Sequence, residues 1–90
     1  MARKIELTLI DRQGCHLCEE ASAELARAVG EINLLFPELE YAVQILDVDS
    51  SAELLEKYSD EVPVLLLNGR QIAFHRVNAE RVLSAVEREL

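Results

Sequence analysis

The 90-residue chain has no tryptophan, one methionine, three glycines, two prolines and two cysteines, and aromatic residues make up 4% of it. No stretch approaches the roughly 18 consecutive apolar residues that a membrane helix needs. Positive charge is scarce. Nine Lys and Arg stand against 17 Asp and Glu, the formal net charge is −8, and no basic cluster extends beyond Arg3 and Lys4. That balance argues against nucleic-acid binding and against attraction to anionic membranes. The acidic excess would mildly favour basic protein partners, but its ordinary role is to keep a surface solvated. The start Met1-Ala2-Arg3-Lys4 is basic, yet Glu6 and Thr8 interrupt what would be a signal-peptide core, and no small-residue cleavage site follows. A cytoplasmic location is therefore expected. The chain has no internal repeat, low-complexity run or linker. Ninety residues leave no room for two domains, so one domain over residues 1–90 is expected. The 50% apolar fraction is ample for one core.

What is present is concentrated in one place. Both cysteines fall in Cys15-His16-Leu17-Cys18, directly after the apolar run Ile5-Glu6-Leu7-Thr8-Leu9-Ile10. Two thiols at this spacing at a helix start can close a small disulfide ring, and in an intracellular chain they are more often catalytic or metal-binding than a structural staple.

The apolar pattern places this motif between a strand and a helix. Strand one is expected at 4–10 and helix one at 15–35. The helix carries Leu17, Ala21, Leu25, Val29, Ile32 and Phe36 at spacings of three or four, with Glu20, Glu24, Arg27 and Glu31 opposite. Gly30 weakens its interior, and Pro37 ends it. Strand two is expected at 41–48, with Val43 and Ile45 on one side. A short helix follows, capped by Ser50 with Glu53 completing a capping box, and Leu54, Leu55 and Tyr58 are its apolar contacts. Strand three is 64–67, four apolar residues in a row, as suits a strand covered on both faces. Asn68-Gly69 signals a hairpin turn with two positive φ angles. Strand four is 71–75, an edge strand with Ile72 and Phe74 on one side. Asn78 caps a last helix that buries Val82, Leu83, Val86 and Leu90. The order β-α-β-α-β-β-α predicts an α/β fold: a four-stranded mixed sheet with helices on both faces.

The chemistry follows from where the sulfurs sit. The first cysteine lies at a helix N-terminus, where free N–H donors stabilise a thiolate and lower its pKa below the usual value of about 8.5. Cys18, one turn further in, should be more buried and less ionised. Cys15 is thus the expected nucleophile and Cys18 the resolving thiol. Arg12 could add positive charge near the thiolate, while Glu19 and Glu20 oppose it. His16, if protonated, would favour the reduced form; the plainer reading is a solvent-facing histidine in the first turn. Leu17 suits packing or a rim contact. His75 reads as a surface histidine at a strand end. A metal or iron–sulfur module built on the two cysteines is an alternative, but a structural zinc site usually takes four protein ligands, and no metal ligands are assigned. A non-catalytic adaptor is a further alternative.

Taken together, Cys15-His16-Leu17-Cys18, the stretch from Leu46 to Tyr58, Val62-Pro63-Val64 and Asn68-Gly69 make the chain similar to glutaredoxin-like members of the thioredoxin superfamily, over nearly its whole length. The resemblance implies a thioredoxin-like fold and thiol–disulfide oxidoreductase activity. It implies a cis Val62–Pro63 bond, with Val62 offering its backbone to an extended substrate and Pro63 shielding the sulfurs. Some features depart from the family pattern. His16 and Leu17 replace Pro and an aromatic, and no Trp precedes Cys15. His75-Arg76-Val77-Asn78 stands in place of a glycine-rich stretch that holds glutathione. Arg76 is a candidate contact for a glutathione carboxylate. The expected substrates are protein or small-molecule disulfides. The reductant would be glutathione or a thioredoxin-reductase-type partner, with no bound cofactor and a monomeric state expected.

Overall fold

Strand β1 (Lys4–Asp11) is the strand around which the other elements assemble. Its alternation sends Ile5, Leu7 and Leu9 to one face, each almost wholly buried, and Ile10 to the other. The computed structural model describes residues 4–90, so Met1, Ala2 and Arg3 of the basic start lie outside the described residues. After β1 come α1 (His16–Leu35), β2 (Glu40–Asp47), a 3-10 turn at Val48–Ser50, α2 (Ala52–Tyr58), β3 (Val64–Leu67), β4 (Arg70–Phe74) and α3 (Ala79–Glu89). The sheet order is β2-β1-β3-β4, with β1 parallel to β2 and antiparallel to β3, and β4 antiparallel to β3. The mixed α/β sheet is the one expected.

One face of the sheet packs Leu7, Leu9, Leu65 and Leu67 against Ala21, Leu25, Ala28 and Ile32 of α1 and Val82, Ala85 and Val86 of α3. The other face holds a smaller cluster of Ile10, Val48 and Val64, covered by Leu54 and Tyr58 of α2. Helix α1 runs through Gly30 without a break and ends before Pro37. At the hairpin, Asn68 and Gly69 have φ of 52° and 82°. The Asn68 side chain accepts a hydrogen bond from the Glu6 N–H at 2.8 Å, tying the turn to the start of β1.

Several local expectations are corrected. The cap of α2 is Ser51, whose hydroxyl accepts from the Leu54 N–H; Ser50 belongs to the 3-10 turn and donates to the Asp47 carbonyl. Two adjacent serines made the choice a one-residue ambiguity that only the intervening tight turn resolves. Leu55 and Leu90 are exposed, because α2 has only seven residues and Leu90 lies past the end of α3. Ile72 and Phe74 do not share a face. A bulge pairs Leu66 with Gln71 and Leu65 with Ala73, so Ile72 packs with Ala73 on the α1–α3 side while Phe74, opposite Val64, is left exposed. A single inserted residue reverses the alternation beyond it. Val43 and Ile45 of β2 do lie on one side, opposite Leu7 and Leu9, but β2 is an edge strand and both are exposed.

Candidate functional site

The end of β1 turns into α1 through Gly14, whose φ of 74° suits glycine. Cys15 follows as the N-cap of α1, and its Sγ accepts a hydrogen bond from the Cys18 N–H at 3.1 Å. Cysteine thus fills the place that Ser or Asp usually takes at a helix start. The two sulfurs lie near disulfide distance, with Cα atoms 5.1 Å apart. They are unequal in exposure: Cys15 is half-buried, whereas Cys18 is 3% exposed and belongs to the core.

A cleft of about 410 Å³ opens beside the pair, lined by Asp11 at the end of β1, by Arg12 and Gly14 of the following loop, and by Cys15, Cys18 and Glu19. Asp11 is not among the site residues expected from the sequence. Asp11 ends β1 and stands opposite Asp47 in the parallel register. Burial, and then the neighbouring Asp47 carboxylate, push its carboxyl above the usual range. The available signal was a carboxylate directly after the apolar pair Leu9-Ile10, just before the motif. Arg12 does reach the cleft, but its guanidinium is committed. It bonds both carboxylate oxygens of Asp49, at 3.1 and 3.3 Å, and the Ser59 carbonyl. Its charge is therefore largely balanced before any thiolate forms. His16 projects into solvent with its Nδ1 3.8 Å from Glu19.

On the other side of the motif, Leu17, Glu20 and Glu24 of α1 face His75, Arg76 and Asn78 across a groove of about 380 Å³. Leu17 lies between the two cysteines, so this groove begins at the dithiol. Glu24 accepts from the Ala79 N–H at 3.0 Å and pairs with Arg27, which fastens α1 to the first turn of α3. The Ala79 hydrogen bond holds the Glu24 carboxyl below its ordinary value against desolvation, with a smaller contribution from the hydrogen bond and charge of Arg27. The Val62–Pro63 bond is cis, and Pro63 is buried. His75 has a φ of 61°; its N–H donates to the Pro63 and Glu61 carbonyls and its Nε2 donates to the Asp60 carbonyl. The loop bearing Arg76 is thereby tied to the loop bearing Pro63. The Val62 N–H and C=O form no hydrogen bond with the described residues. Among the described residues, no group of three or more His, Cys, Asp and Glu is arranged to hold a metal ion.

The chain is similar to several known proteins. The chain is 28% identical over 88 residues to an uncharacterised protein of Mycobacterium tuberculosis, covering 92% of this chain and 84% of that one. It is 25% identical over 87 residues to a glutaredoxin-like protein of Dictyostelium discoideum, covering 94% and 78%. Among solved structures, a structural-genomics target from X. campestris superposes with a TM-score of 0.70 at 30% identity, over 91% of this chain and 96% of that one. Fasciola hepatica thioredoxin superposes with a TM-score of 0.63 at 21% identity, over 97% and 82%, which shows the shared thioredoxin fold. The family described as Glutaredoxin-like domain (DUF836) matches residues 6–87, and the chain belongs to it.

Proposed function

We propose that this protein is a thiol–disulfide oxidoreductase in which Cys15 is the nucleophile and Cys18 the resolving thiol. The observation that carries this reading is the asymmetry of the pair: Cys15 half-exposed as the helix cap, accepting the Cys18 N–H, and Cys18 buried behind it. The helix-end donors favour the Cys15 thiolate once the disulfide is reduced. That thiolate attacks one sulfur of a substrate disulfide. The other substrate sulfur leaves as a thiolate and takes a proton from water, which leaves a mixed disulfide on Cys15. Cys18 then loses its proton and attacks the Cys15 Sγ, releasing the second substrate thiol and restoring the Cys15–Cys18 disulfide. Two electrons pass to the substrate in each cycle. Asp11, in the same cleft and with a raised pKa, is suited to accept the Cys18 proton and pass it to solvent.

The Val62 main chain, unpaired among the described residues, supports a substrate backbone lying alongside it, next to Pro63. Arg76, at the wall of the adjoining groove, would meet a carboxylate of a substrate or of glutathione. The electron donor is proposed to be glutathione or a thioredoxin-reductase-type protein in a reducing compartment. His16 and Leu17 would tune the potential and the rim respectively, with the His16 contribution small because its ring projects into solvent.

The test is a redox titration of the Cys15/Cys18 pair across glutathione buffers, quenched and read by mass spectrometry. A reversible two-hydrogen change with a defined midpoint supports the proposal. A pair that stays reduced throughout, or oxidises only irreversibly, overturns it and returns attention to a metal-binding or adaptor role.

A further inference from the structure

Three of the chain's nine basic residues line one groove, away from the cysteines, between β4 and α3. Arg70, Arg81 and Arg88 surround a floor of Ile72 and Ala85, with a volume of about 360 Å³. Arg81, Ala85 and Arg88 recur at spacings of four and three, which is one face of a helix. Glu80 and Glu87 fall about 100° round the helix from them. Glu89, at the end of α3, is held by Arg70 in a surface ion pair, a kind of contact that contributes little to stability. Among the described residues neither Arg81 nor Arg88 forms an ion pair. The lining itself is basic: Arg81 and Arg88 present two guanidiniums to the groove, and Arg70 a third that is shared with Glu89.

We propose that the β4–α3 groove docks an acidic, extended segment of a partner protein, with carboxylates at alternate positions meeting the three guanidiniums. The groove lining is complementary in charge to an acidic segment. Arg81 and Arg88 rise about 10 Å apart along the helix, a spread suited to several anionic groups in a row. An extended chain places side chains of one face about 7 Å apart, so two or three acidic residues span the groove. Arginine presents a planar fork of donors that grips carboxylates in pairs. The groove is walled by exposed side chains and does not enclose its contents, which suits a chain lying along it better than a small molecule needing burial. The surface is independent of the dithiol chemistry.

The test is titration of the full chain with N-acetylated hexaglutamate amide, followed by amide and arginine Nε–H NMR, with inorganic phosphate titrated in parallel. The expected result is saturable shifts confined to β4 and α3. The exposed double variant Arg81→Gln/Arg88→Gln should weaken binding by about tenfold or more. Arg27→Gln, outside the groove, should leave it unchanged. The proposal is overturned by shifts that do not saturate or that spread over the whole molecule. It is also overturned by a double variant that binds as tightly as the parent, or by phosphate reproducing the same shifts at the same affinity, which would make this a small-anion site.

Discussion

At the residue scale, the behaviour of the site turns on how two identical thiols are made different. Cys15 caps a helix and accepts a backbone N–H; Cys18 is buried in the core. In the reduced protein, Cys15 should therefore alkylate with an apparent pKa below the free-cysteine value of about 8.5, and Cys18 far more slowly. Peptide-mapped iodoacetamide rates against pH check this, and equal rates at the two sulfurs would count against it. Asp11 carries a second consequence. Its carboxyl is raised above its ordinary value of 3.8 by burial and by Asp47. A raised folded-state pKa means stability that is fully present below pH 3.8 and is lost as pH rises through the folded value. Asp11→Asn should thus raise the melting temperature at pH 7 and leave it nearly unchanged below pH 3.8, as thermal melts across pH would show. The cysteine spacing was legible in the sequence because a motif is local. Asp11 was not, because its environment depends on the parallel pairing that sets Asp47 opposite it.

Among the elements, the boundaries that position the site rest on side chains bonding to helix ends. Ser51, not Ser50, caps α2, so Ser51→Ala should cost about 1 kcal/mol of stability and Ser50→Ala clearly less. Urea unfolding of the two variants decides between them. Glu24 joins α1 to α3 through the Ala79 N–H, and its carboxyl is lowered by that bond and by Arg27. A lowered folded-state pKa gives stability that is present above the ordinary value of 4.5 and lost as pH falls through the folded value. Glu24→Gln should therefore destabilise the protein at pH 7, with the difference from the parent shrinking in acid; melts at both extremes test it. The amphipathic periods of α1 and α3 and the Asn68-Gly69 turn could be read directly from residue spacing, because each is a short-range pattern. The bulge at Ile72 could not. Nothing in Arg70-Gln71-Ile72-Ala73-Phe74 marks an inserted residue, and only pairing against β3 reveals it.

For the molecule as a whole, the chain order brings the functional loops together. The C-terminal end of β1, the start of α1 and the loop leading to α3 form one rim that holds Cys15, Leu17 and Arg76. His75 ties that rim to the loop of Pro63. The fold could be anticipated because each sheet-forming run and each helix was locally consistent with it. The commitment of Arg12 to Asp49 could not, since the two are 37 residues apart in sequence. The arginine groove between β4 and α3 likewise joins residues that are scattered in sequence. The measurement that tests the central claim most directly is intact-mass analysis of Cys18→Ser and Cys15→Ser after exposure to a disulfide substrate. The account predicts a stable mixed disulfide on Cys15 in the Cys18→Ser protein and little or no adduct on the Cys15→Ser protein. Adducts of equal yield on both variants, or a preference for Cys18, would contradict it.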